Sequence, residues 1–64
     1  MGLGTNIKVH RLEKGLTQEK LAQKMNTTKA AISRYEKDQR QPRLDIILRI
    51  CEALDVSISD LIGR

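Results

Sequence analysis

Residues 17–36 read TQEKLAQKMNTTKAAISRYE, and this stretch decides the fold. Thr17 suits a helix N-cap, Gln18 and Glu19 fill a first turn, and Leu21, Ala22 and Met25 follow at helical spacing. Asn26 and Thr27 interrupt the pattern, because their short polar side chains bond the backbone locally and compete with helix interior. Thr28 then caps a second helix over residues 29–37. A small residue at Ala22 allows the two helices to cross closely. Two short helices joined by so tight a turn form a helix-turn-helix, whose second helix is shaped to enter a DNA major groove.

The faces of that second helix differ. At helical periodicity Ile32, Tyr35 and Glu36 share one side, and Lys29, Ala30, Ser33, Arg34 and Lys37 share the other. The second side has no large apolar group. Small residues permit close approach to base edges, while Arg and Lys donate to guanine acceptors and phosphates. A merely solvated face would carry similar residues, so the stripe gains weight from its place in the motif. Gln18 opens the preceding helix, where backbone amides and the helix dipole attract anions such as phosphate. Simple exposure is the bland alternative for Gln18. Glu36 faces inward, and an unpaired buried carboxylate is costly, so it requires a partner. Arg11, on the inner edge of the first helix, is the expected one.

On the N-terminal side a first helix is expected over residues 5–14, capped by Thr5 or Asn6. Leu3, Ile7 and His10 lie on its inner stripe, with Val9 and Leu12 outside it. His10 reads as a half-buried packing residue, since no second metal ligand or nucleophile accompanies it. Gly2 and Gly4 predict a frayed extreme N-terminus. Gly15 sits where a helix end needs a left-handed residue, and Leu16 packs back just before the Thr17 cap.

On the C-terminal side, Asp38 to Arg43 form a polar connector in which Pro42 blocks helical continuation. Arg40, Gln41 and Arg43 look like phosphate clamps, with a flexible basic loop as the alternative. Leu44, Ile47, Ile50, Cys51 and Leu54 recur at three- and four-residue spacing and predict a helix over 43–54. Cys51 reads as a small buried apolar residue. Ser57 with Asp60 is a capping signature for a short last helix over 58–62. Any of Ile46, Ile58 or Ile62 left outside the core would form an apolar patch usable for dimerisation.

Composition narrows the class. Sixty-four residues with no Trp or Phe and a single Tyr allow one domain, residues 1–64, with an aliphatic core and all-α packing. One Cys and one His provide no disulfide, zinc set or nucleophile–base arrangement, so neither a cofactor nor an enzyme is expected. The longest apolar run is Ile46-Ile47-Leu48, too short to span a membrane, and nothing resembles a signal peptide; a reducing cytoplasm suits the chain. The net charge of +4 is uneven: residues 1–28 and 29–43 each carry +3, and residues 44–64 carry −2. A basic body with an acidic end fits a nucleic-acid module with one docking face, although ordinary solvated charge would also give +4.

The segments IKVHR (7–11), EKGLTQEKLAQKM (13–25), ISRYE (32–36), QPRL (41–44) and ALDVSISDLI (53–62) together resemble the Cro/repressor-type (XRE-type) helix-turn-helix family. The resemblance spans residues 3–62 in order and in register, and is far more specific for fold than for biology. It implies a compact five-helix, lambda-repressor-like domain that binds operator DNA, commonly as a two-fold dimer. The implied base contacts are Lys29, Ala30, Ser33 and Arg34. The implied phosphate contacts are Gln18, Thr28, Lys37, Arg40, Gln41 and Arg43, and an Arg11–Glu36 ion pair matches the family pattern. Thr27 and His10 depart from it, standing where the family often has aliphatic residues. The five-helix unit fills the sequence, so the sensing, cleavage or oligomerisation parts of longer members are not expected. The leading expectation is a sequence-specific transcriptional regulator, a repressor of bacterial, phage or mobile-element origin. The alternative is an antitoxin-like, partner-binding module on the same fold. RNA binding is disfavoured because the one aromatic residue, Tyr35, faces inward.

Overall fold

The computed structural model describes residues 2–63, so the two ends of the expected 1–64 unit lie outside the described residues. The chain forms α1 (Leu3–Glu13), α2 (Gln18–Lys24), α3 (Lys29–Glu36), α4 (Leu44–Leu54) and α5 (Ile58–Leu61), with no strand among the described residues. The fold is the all-α, five-helix, lambda-repressor-like architecture. Helices α1 and α2 both pack on α3, while α4 and α5 close the core from the other side.

Capping residues set the helix starts. Thr17 Oγ1 accepts from the Lys20 amide at 3.0 Å, and Thr28 Oγ1 accepts from the Ala31 amide at 3.1 Å. Ser57 and Asp60 form a reciprocal capping box at α5. The ends share one device, a left-handed residue just past the last turn: Gly15 (φ 72°), Asn26 (φ 56°), Asp38 (φ 58°) and Asp55 (φ 56°). The amide after each reaches back into the last turn, as Leu16 does to the Arg11 carbonyl and Gln39 to that of Arg34. Asn and Asp tolerate this conformation better than other non-glycine residues.

The core is aliphatic. Ile7, Leu21, Ile32, Ile50, Leu54 and Leu61 are fully buried, with Ala22, Met25, Tyr35 and Cys51 around them. Burial, with the Asp60 carboxylate nearby, pushes the Cys51 thiol up. Val9 and Leu12 face solvent. His10 is half-buried, its Nε2 lying 3.2 Å from the Asp60 carbonyl oxygen and thereby joining α1 to α5.

Three expectations need correction. The first helix begins at Leu3 rather than at residue 5, and neither Thr5 nor Asn6 caps it. Nor is the start frayed: Gly4 is buried, and its amide donates to Asp38 Oδ1 at 3.0 Å, so the cap comes from the far end of α3. Leu44 is not in the core stripe. It is the first residue of α4, with Arg43 as the N-cap, and is 64% exposed because no described residue covers it there. The remaining boundaries move by one residue, where Met25, Lys37 and Ile62 serve as C-caps rather than as helical residues.

Candidate nucleic-acid interface

Helix α3 has a buried side and a bare side. Ile32, Tyr35 and Glu36 are buried against α1 and α2. Lys29, Ala30 and Arg34 are exposed, and Ser33 is half-buried between the two sides. Lys37, the C-cap, is exposed as well. The bare side therefore presents three cations and a methyl group, with a hydroxyl at its edge. Thr28 spends its oxygen as the α3 cap, but its hydroxyl hydrogen can still rotate toward an acceptor.

The loop between α3 and α4 extends this surface. Arg40, Gln41 and Arg43 are exposed, and with Tyr35 and Ile46 they line a shallow groove of about 240 Å³. Arg43 Nε lies 3.6 Å from Asp45 Oδ1, with both side chains largely exposed. A pair so solvated contributes little and competes weakly with a phosphate. Pro42 is buried, which roots the loop between its basic residues.

Beneath this surface lies an ion pair. Arg11 Nε donates to Glu36 Oε2 at 2.6 Å, and Arg11 Nη2 donates to Glu36 Oε1 at 3.2 Å. Both residues are buried, Arg11 at 6% and Glu36 at 8% exposure. Arg11 Nη1 also donates to the Leu16 carbonyl at 2.7 Å, which fixes the turn that leads into α2. A fork of this kind satisfies both charges where an isolated one would be costly. Gln18, the first residue of α2, is half-buried, and its Nε2 donates to Glu36 Oε1 at 3.0 Å. Nothing in the residue spacing signals this last bond, which links positions on separate helices. Asp38 likewise reads from the sequence only as part of a connector, and its capping of α1 has no local signal.

The apolar candidates separate. Ile46 is half-buried, packed against the core, and lines the groove. Ile58 and Ile62 are 40% and 50% exposed, and the exposed apolar residues of α4 are instead Leu44 and Leu48. A step of two residues turns a helix by about 200°, so Ile46 lies on the flank opposite Leu44 and Leu48.

A helix-turn-helix family model matches residues 7–61, from the inner stripe of α1 to the end of α5. The chain belongs to the Cro/C1-type (XRE-type) helix-turn-helix family. Among relatives in this family, the HTH-type transcriptional regulator ImmR of Bacillus subtilis (strain 168) is 36% identical over 64 residues, which is 100% of this chain and 50% of that protein. The immunity repressor protein of Bacillus phage phi105 is 33% identical over 64 residues, covering 44% of its length. The chain thus spans about half the length of the curated relatives it matches. Among solved structures of this fold, the restriction-modification controller protein C.AhdI from Aeromonas hydrophila superposes with a TM-score of 0.88 at 32% identity, covering 92% of this chain and 89% of that one. No helix of the described residues is long and apolar enough to cross a membrane.

Proposed function

We propose that the chain is a sequence-specific, duplex-DNA-binding transcriptional regulator, acting as a repressor on a near-palindromic operator. The observation that carries this reading is the bare side of α3, where Lys29, Ala30 and Arg34 stand free above a buried Arg11–Glu36 support. Names of relatives that include a transcriptional regulator and an immunity repressor support the same reading. Arg34 donates to a guanine, Lys29 and Ser33 read neighbouring edges, and Ala30 offers its methyl to a thymine. Thr28, Lys37, Arg40, Gln41, Arg43 and Gln18 hold the backbone. The molecule measures 27 × 23 × 20 Å, less than the ~34 Å between successive major-groove faces, so one copy reads one half-site and two copies are needed for both.

The test is selection of bound duplexes from a random library at low and near-physiological salt. A two-fold motif with half-sites about one helical turn apart is expected. Binding that enriches no sequence and vanishes as salt rises would leave only phosphate contacts and overturn the reading.

Exposed apolar side chains favour a protein-facing role alongside DNA binding. Leu44 and Leu48 on α4, with Ile58 on α5 and Ile62 at its C-cap, leave large apolar side chains in solvent. Covered by a second copy they hold the dimer; covered by a different protein they make the chain an antitoxin-like module. Co-purification at native expression level separates the two, since a second copy yields one polypeptide and an antitoxin yields two.

A further inference from the structure

We propose that Glu36 is a positioning residue for DNA, holding the Gln18 side chain ready for a phosphate from the buried side. This rests on the reading of Gln18 as a phosphate contact. Glu36 accepts three hydrogen bonds from side chains: two from Arg11, at 2.6 and 3.2 Å, and one from Gln18 Nε2 at 3.0 Å. The ion pair needs only the first two. The third restrains a long, flexible side chain that is otherwise only half-buried. A free glutamine has several rotamers, and ordering it on a phosphate would oppose binding. Here the ordering is done in the folded state.

The amide chemistry suits the task. A glutamine Nε2 carries two hydrogens, so donating one to Glu36 leaves the other for a phosphate oxygen. The Glu36 carboxylate also polarises the amide it accepts from, as members of a hydrogen-bonded chain do. Its charge is matched by the Arg11 fork, so a carboxylate sits behind a phosphate-binding surface without repelling the phosphate. Helix α3 thereby carries base-reading residues on its bare side, and a residue on its buried side that sets a backbone contact made from α2.

A double-mutant cycle tests this, using a mixed-sequence duplex of about three helical turns as probe. Gln18→Ala is measured in the native background and in an Arg11→Met/Glu36→Met background, where apolar replacement of a buried pair is commonly tolerated. Arg43→Ala is the control in both. Gln18→Ala is expected to weaken binding about fivefold in the native background and less than about twofold in the swapped one, while Arg43→Ala loses the same factor in both. Equal losses from Gln18→Ala in the two backgrounds overturn the proposal. No loss in the native background removes the Gln18 contact and the proposal with it, while a loss from Arg43→Ala keeps the DNA reading standing. No loss from either variant overturns the DNA reading itself. If the swapped background does not fold, the Gln18 side-chain amide of the unaltered chain gives the answer by NMR. One proton protected from water exchange beside one that exchanges rapidly supports the proposal, and two rapidly exchanging protons overturn it.

Discussion

A methyl group at position 4 would sit 2.5 Å from the carbonyl oxygens of Tyr35 and Glu36, so α1 and α3 meet this closely only over glycine. Gly4→Ala is therefore expected to destabilise the fold by about 1–3 kcal/mol, read as a lower denaturant midpoint. An unchanged midpoint would mean that the first turn of α1 shifts without cost. The role was not legible in the sequence, where a glycine near a terminus resembles fraying; the atoms that demand it belong to α3. Arg34 and Arg43 were legible as candidates, because helical periodicity puts the first outside and the loop composition exposes the second. Arg34→Ala is expected to reduce discrimination between cognate and random duplexes by about 1–3 kcal/mol. Arg43→Ala should weaken both duplexes alike and lower the salt slope by about one unit. Titrations on both duplexes across a salt series check this division, and equal losses from the two variants would end it.

At the scale of elements, the caps explain why the helices were readable and their edges less so. Thr17, Thr28 and the Ser57–Asp60 box act within four residues of sequence, so a local pattern suffices. The left-handed stops were recognised at Gly15 but not at Asn26, Asp38 or Asp55, because only glycine advertises the conformation by its type. For an L-residue that conformation costs roughly 1–2 kcal/mol, offset in glycine by about 0.5–1 kcal/mol of extra chain entropy. Asp55→Gly is thus expected to raise the melting temperature by a few degrees, about 4–8 °C per kcal/mol for a domain of this size. Asp38→Gly relieves the same strain but deletes the acceptor for the Gly4 amide, so it should fall short of Asp55→Gly. Calorimetry on the two variants gives the order, and the reverse order would refute the capping role of Asp38. The start of α4 was misread for a related reason: Leu44 continues the apolar period, but the period does not tell whether anything packs over a helix end.

The whole molecule divides into a basic body and an acidic end that carries exposed apolar residues. Residues 1–43 bring +6 and residues 44–64 bring −2, the sum of the uneven charge blocks read from the sequence. Leu48→Gln and Ile62→Gln replace side chains that are 51% and 50% exposed, so each should leave the melting temperature nearly unchanged. Together they are expected to convert two-copy binding on a symmetric duplex into stepwise, weaker binding of single copies. Sedimentation of the complex with and without the substitutions measures this, and an unaltered two-copy complex would place the contact between copies elsewhere.

The sequence by itself determined the helices, the inward and outward sides of α3, and the requirement that Glu36 find a positive partner. Those follow from caps, periodicity and the cost of a buried charge, which act locally or on one side chain at a time. Tertiary structure alone decided that Asp38 caps α1, that Gly4 is a crossing point, that Ile46 is half-buried while Leu44 and Leu48 stay out, and that Gln18 joins the Arg11–Glu36 pair. Each of these depends on which atoms of distant elements come within a few ångströms of one another. Spacing along a chain places residues on a face; only the packing of helices sets what that face meets.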